Sequence, residues 1–188
     1  MKDISLHVLD IMQNSAAANA ERICVEIRTD KNTGILEIMI GDNGCGMDSE
    51  LLSRVDDPFS TTRTTRKVGL GIPLFKASAE QSGGSFEINS EKGFGTKVTA
   101  RFAIDNIDRP PLGDIAGVIT DMAAAYPEVG IQLLLKNGDQ KFEFDSRQVA
   151  GQLGEVPISE FAVVKWLREY IGEGIKDILG GVLNEINS

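Results

Sequence analysis

A chain of 188 residues holds only one histidine, one tryptophan and two cysteines, which leaves little for soft-metal ligation or disulfide closure. Cys24 and Cys45 make neither a metal set nor the framework of a disulfide-stapled secreted domain. Aromatic residues total 6%, and no apolar run approaches the roughly 20 residues needed to cross a bilayer. Positive charge is scarce too: 19 Lys and Arg stand against 28 Asp and Glu, a formal net charge of −9. Proteins that grip nucleic acid draw most of their affinity from cations at phosphates, so this balance argues against that partner. A nucleotide needs only a few local donors and is not excluded. The opening Met1-Lys2-Asp3-Ile4-Ser5 enters a helical pattern directly, without a signal-peptide layout. A cytoplasmic protein with no membrane partner is the simplest expectation.

What is present has an ordinary globular balance, with 41% hydrophobic and 25% charged residues. Ile4, Val8, Ile11, Ser15 and Ala18 recur at helical spacing, and His7, Asp10, Asn14 and Ala17 form a neighbouring stripe. Residues 22–28 and 35–40 read as strands joined by the polar turn 30–34. A short helix is expected near 49–54 and a longer one after Gly71, with Pro73 in its first turn. That helix ends near Ser82-Gly83-Gly84, and residues 85–89 and 96–103 complete a second hairpin. The order α-β-β-α-β-β predicts an α/β two-layer sandwich, a mixed sheet with helices on one face. The polar, proline-terminated stretch 105–111 reads as a boundary between a domain at 1–104 and a small α/β region at 105–188. There we expect a helix near 112–125, a hairpin of 130–136 with 140–145 across Asn137-Gly138, and a final helix capped by Ser159 with Glu160 in its first turn. Phe161, Val164, Leu167, Ile171, Ile175 and Ile178 line one side of that last helix.

Four elements carry candidate chemistry. Asp10 and Asn14 stand one turn apart on one face of the first helix. A neutral side-chain oxygen such as that of Asn14 suits a Mg2+ that keeps most of its waters and rides on phosphates, and Asp10 can orient or deprotonate an attacking water or hydroxyl. In Asp42-Asn43-Gly44-Cys45-Gly46, a carboxylate accepts only, which fits an exocyclic amine such as that of adenine. Gly44 and Gly46 let backbone pass close to a base, and Met47 can form a soft apolar wall. Gly69-Leu70-Gly71 at a helix start offers bare N–H groups and a positive dipole end to phosphate, with Arg63, Arg66 and Lys67 placed to fold over it as a lid. Gly93-Phe94-Gly95-Thr96 precedes the last strand of the second hairpin, and the Thr96 hydroxyl can support Asp42 through water. No GxxxxGK[ST] loop exists, and the glycine turn follows a loop rather than a strand, which counts against a dinucleotide fingerprint.

The ordered set resembles the ATPase superfamily of gyrase, Hsp90 chaperones, sensor histidine kinases and the mismatch-repair protein MutL. Residues 10–15 (DIMQNS) are similar to its N box and 40–47 (IGDNGCGM) to its adenine box. Residues 57–62 (DPFSTT) followed by GLGIPL at 69–74 resemble the phenylalanine and glycine boxes of histidine kinases. GGSFEINSEKGFGTKVTARF at 83–102 resembles the end of a histidine-kinase catalytic domain. The likeness covers roughly residues 3–104 and implies ATP and Mg2+ as ligands. Gyrase and MutL carry a glutamate where Asp10 stands, so Asp10 has a shorter reach to a nucleophile.

The resemblance implies a phosphotransferase acting on a separate protein, of histidine-kinase type or a serine kinase of the anti-sigma type. Only thirteen residues precede Asn14, so its phosphoacceptor is expected on another chain. The alternatives are an ATP-hydrolysing conformational switch read out by a partner through residues 105–188, and a non-catalytic nucleotide sensor. His7 reads as a polar helix residue with an ordinary partner, against the sharper reading of a phosphoacceptor or a helper of Asp10.

Overall fold

The computed structural model describes residues 3–55 and 71–183. Helix α1 (Ile4–Ala17) begins at Asp3, whose carboxylate accepts from Leu6 N–H at 3.1 Å. Two further N–H groups of its first turn, on Ile4 and Ser5, donate to the carbonyls of Pro111 and Leu112, each at 2.9 Å. The unpaired amides of the helix start are thus satisfied from the far side of the proline stretch.

Strands β1 (Arg22–Asp30) and β2 (Ile35–Asp42) form the first hairpin, and β3 (Ser85–Glu91) and β4 (Gly95–Ala103) the second. Between them lie α2 (Ser49–Arg54) and α3 (Gly71–Gln81). After them come α4 (Ile115–Ala125), β5 (Gly130–Asn137), β6 (Gln140–Asp145), α5 (Ser146–Leu153) and α6 (Phe161–Leu179). All six strands join one mixed sheet in the order β3-β4-β2-β1-β5-β6. The β1–β5 pairing is parallel, with Val25 opposite Leu133, and the others are antiparallel. The stretch 105–111 connects β4 to α4, and the elements beyond it share this sheet.

Alternation places the core. Ile23, Val25 and Ile27, Leu36, Ile38 and Ile40, Val98, Ala100 and Phe102, and Ile131, Leu133 and Leu135 all bury on one face. Helices α1, α3, α4 and α6 cover that face, with α4 touching both α1 and α6. The sandwich therefore has two layers, as the element order implied.

Two local expectations at the C-terminal end change. Helix α6 starts at Phe161 with Glu160 at its N-cap, and no side chain caps it; Ser159 lies one residue too early to do so. Phe161 is 79% exposed and outside the buried stripe, whereas Leu167, Ile171, Ile175 and Ile178 are buried as expected. Helix α5 has no counterpart in the sequence reading. It is launched by Asp145, the last residue of β6, whose carboxylate accepts from Arg147 N–H at 2.8 Å.

Candidate functional site

Asp42 ends β2 on the helix-covered side of the sheet, two residues after the buried Ile40. Among the described residues, three donors reach its carboxylate. Oδ1 accepts from Gly44 N–H at 2.9 Å and from Thr96 N–H at 3.3 Å. Oδ2 accepts from the Ser15 hydroxyl at 2.6 Å, a length proper to a charge-assisted bond.

The loop after Asp42 is stitched on three sides. Asn43 Oδ1 accepts from the N–H groups of Glu21 and Arg22 at 3.0 and 2.8 Å, fixing the turn to the start of β1. Cys45 N–H donates to Ala18 O at 2.9 Å, tying it to the end of α1. Met47 N–H donates to Ser90 Oγ at 2.8 Å, and Gly93 N–H to Cys45 O at 2.8 Å, tying it to the β3–β4 hairpin. Gly46, at φ +62°, lets this happen: a β-carbon there would overlap the Glu91 carbonyl.

Thr96 contributes through its backbone, by the N–H bond to Asp42. Its hydroxyl lies 2.8 Å from Ser90 Oγ.

Asp10 and Asn14 sit half-buried one turn apart on α1, and Asn14 Nδ2 donates to Asp10 Oδ2 at 3.4 Å. The amide thereby points its nitrogen at Asp10, which leaves its carbonyl oxygen to face elsewhere. Gly71, the first residue of α3, lies against the Asp10 carboxylate. The positive end of the α3 dipole and this carboxylate are therefore neighbours. Packing holds them together, because the His7 ring stacks on Phe75 with centroids 4.8 Å apart and planes 11° apart, joining α1 to α3.

The site residues thus fall into two groups joined by α1. Asp42, Gly44, Gly46, Met47 and Thr96 lie around the β2 end; Asp10, Asn14 and Gly71 lie at the start of α3. Arg63, Arg66, Lys67, Gly69 and Leu70 are outside the described residues. Sequence reasoning missed Ser15, Asn43 and Ser90. The available signal for Ser15 was a hydroxyl standing on the buried stripe of α1, where an apolar residue is the rule.

His7 is 2% exposed, and its Nδ1 has no hydrogen-bond partner among the described residues. Burial pushes its pKa down to about 4, so the ring is neutral at pH 7. A cavity of about 610 Å3 abuts Asp42, but its lining includes Cys24, Gly41, Asn89 and Lys97 from the uncovered face of the sheet. Neither Asp10, Asn14 nor Gly71 borders it, so it is not the space that joins the two groups. Among the described residues no three His, Cys, Asp or Glu side chains gather as a metal cage, and no helix is long and apolar enough to cross a membrane.

Comparison with known proteins decides the family. A model described as histidine kinase-, DNA gyrase B-, and HSP90-like ATPase matches residues 2–106. The chain belongs to this ATPase family. Its members in this comparison include histidine protein kinase DivJ of Caulobacter vibrioides, 31% identical over 101 residues, which are 52% of this chain and 17% of the kinase. Signal transduction histidine-protein kinase AtoS of Escherichia coli is 32% identical over 93 residues, 49% of this chain and 15% of that one. The matched stretch thus spans about a sixth of the curated relatives' length. Among solved structures, the N-terminal domain of a DNA repair protein superposes with a TM-score of 0.54 at 14% identity, covering 76% of this chain and 52% of that one. That likeness shows the fold alone. Family and fold together make this an ATP-binding, kinase-like module of the α/β sandwich type, and its two groups of residues lie within the matched stretch.

Proposed function

We propose that the chain is the ATP-binding catalytic module of a histidine-kinase-type phosphotransferase whose acceptor lies on a separate protein. Asp42 accepts the exocyclic amine of adenine, Gly44 and Gly46 admit the base, and Met47 lies against it. Gly71 serves the phosphates at the α3 start, and Gly69, Leu70, Arg63, Arg66 and Lys67 are assigned to the phosphates from their sequence motif alone. Asp10 orients the nucleophile.

One observation supports an acceptor outside these residues. The chain's only histidine, His7, is buried and stacked on Phe75, so no histidine of these residues is open to an incoming phosphoryl group.

Asn14 fits a magnesium ion that rides on phosphates: its amide oxygen is turned away from Asp10, and among the described residues no acidic cage competes for the ion. Bound magnesium would supply charge neutralisation at the phosphates. The chain's own part is to hold the adenine at Asp42 and to keep Asp10 oriented beside the α3 N-terminus.

A second reading, an ATP-hydrolysing switch, draws on a different observation. Helix α4 and the residues before it pack on α1, the helix that carries Asp10 and Asn14. Residues 105–188 can therefore sense a movement of α1 and pass it to a partner.

Incubation of the full chain with γ-labelled ATP and lysate from its own source cells separates the two. Transfer predicts acid-labile label on a second protein and none on this chain. Steady phosphate release with no labelled protein, abolished by Asp10→Asn, would replace transfer by the switch.

A further inference from the structure

We propose that Ser15 is the positioning residue for purine selectivity, holding the Asp42 carboxylate so that one acceptor site on Oδ2 faces the base. This rests on the reading of Asp42 as the adenine acceptor and adds to it a residue on another element.

The argument is a count of acceptor sites. An ionised carboxylate offers about four lone-pair positions, two on each oxygen. Gly44 N–H and Thr96 N–H occupy Oδ1, at 2.9 and 3.3 Å. Ser15 Oγ–H occupies one position on Oδ2, at 2.6 Å. No other described donor reaches Oδ2, so one position there remains for an amine.

The two backbone donors alone do not fix that position. Both hold Oδ1, and the terminal torsion of an aspartate is broad and two-fold. Ser15 is the side chain that stops the carboxylate from turning. It can do so because it is buried, at 2% exposure, and because α1 is locked against the loop by Cys45 N–H on Ala18 O. The hydroxyl also lies 3.1 Å from Ile11 O. It has a single proton, and the shorter bond to a charged acceptor takes it.

Selectivity follows from pairing. A buried acceptor matched to an amine rejects a ligand that lacks the amine, since the acceptor is then left without a partner. If the carboxylate can turn, it finds other donors or water, and the penalty for the wrong base shrinks.

Calorimetric titration of the full chain with ADP and with purine riboside diphosphate, which lacks the 6-amino group, tests this without turnover. The wild-type chain is expected to favour ADP by about tenfold or more, the size of one charge-assisted bond. In Ser15→Ala the preference falls towards parity, through weaker ADP binding, while affinity for the analogue holds. Ser15→Cys fills the same space with a weak donor and is expected to behave alike, which keeps the test open if the alanine variant fails to fold. Retention of the wild-type ratio in these variants overturns the proposal. So does a parallel loss of affinity for both nucleotides, the mark of a purely structural serine. Asp42→Asn separates the underlying reading: if the wild-type chain binds both nucleotides alike and this change leaves ADP affinity intact, Asp42 is not the adenine acceptor and Ser15 has nothing to position.

Discussion

Gly71 lies so close to Asp10 that a β-carbon on the glycine would overlap Asp10 Oδ2. The first residue of α3 and the carboxylate of α1 share one small volume, which ties the proposed phosphate end of the site to its candidate base. In Gly71→Ala the flexible carboxylate, not the backbone, gives way. Misplacement of a reacting group by about 1 Å can cost on the order of 10²-fold in rate. ATP turnover should therefore fall strongly while ADP affinity and thermal stability change little. Stopped-assay phosphate release and ADP titration on the same preparation check it; equal losses in both would mean that Gly71 shapes the fold rather than Asp10.

His7 predicts a pH dependence of stability. Its pKa is held at about 4 by burial, below its ordinary value of 6.5. Between these two values the unfolded chain binds a proton that the folded chain does not. Stability therefore rises with pH through this window, and is lost as pH falls from about 6.5 to about 4, by up to about 3 kcal/mol. Below pH 4 this contribution is flat. Denaturant midpoints at pH 4.5 and 7.5 should differ less in His7→Leu than in the native sequence. An unchanged difference would assign the acid sensitivity to other groups.

Gly95 is held at φ +107°, and a β-carbon there would overlap the backbone carbonyl of Asp42. Here rigid backbone meets rigid backbone. Gly95→Ala should cost about 2 kcal/mol or more and reduce ADP affinity along with stability. Gly138, at φ +58° in the β5–β6 turn with open space around its β position, is the control. Gly138→Ala should cost roughly 1 kcal/mol with ADP affinity unchanged. Urea unfolding of the two variants, paired with titration, decides whether the effect at Gly95 is local to the site.

The two ends of the candidate site were picked out in the sequence for local reasons. Asp42-Asn43-Gly44 directly follows an alternating strand, and Asp10 and Asn14 repeat at helical spacing, so a few residues of context sufficed. The link between those ends was not legible. Ser15 meets Asp42 across 27 positions, and a serine on a buried stripe looks like a small filler until its partner is seen. Helix α5 was hidden because Ser146 is its one buried residue and its apolar face is only the half-buried pair Val149 and Leu153, too short a pattern to mark a helix. Its N-cap, Asp145, also closes β6. The parallel β1–β5 pairing joins segments about a hundred residues apart, and no local pattern encodes such a partner choice. The proline stretch 105–111 has the composition of a linker. Its Pro111 carbonyl instead satisfies the Ile4 amide at the start of α1.

The central claim is that Asp42 receives the base. Loss of one charge-assisted hydrogen bond costs about 1.5–3 kcal/mol, which is roughly tenfold to a hundredfold or more in affinity. Titration of ATP into Asp42→Ala beside the native sequence, with folding confirmed by circular dichroism, is the most direct measurement. The account predicts that ATP affinity falls by about tenfold or more while the fold remains. Native affinity for ATP in the folded variant would contradict it.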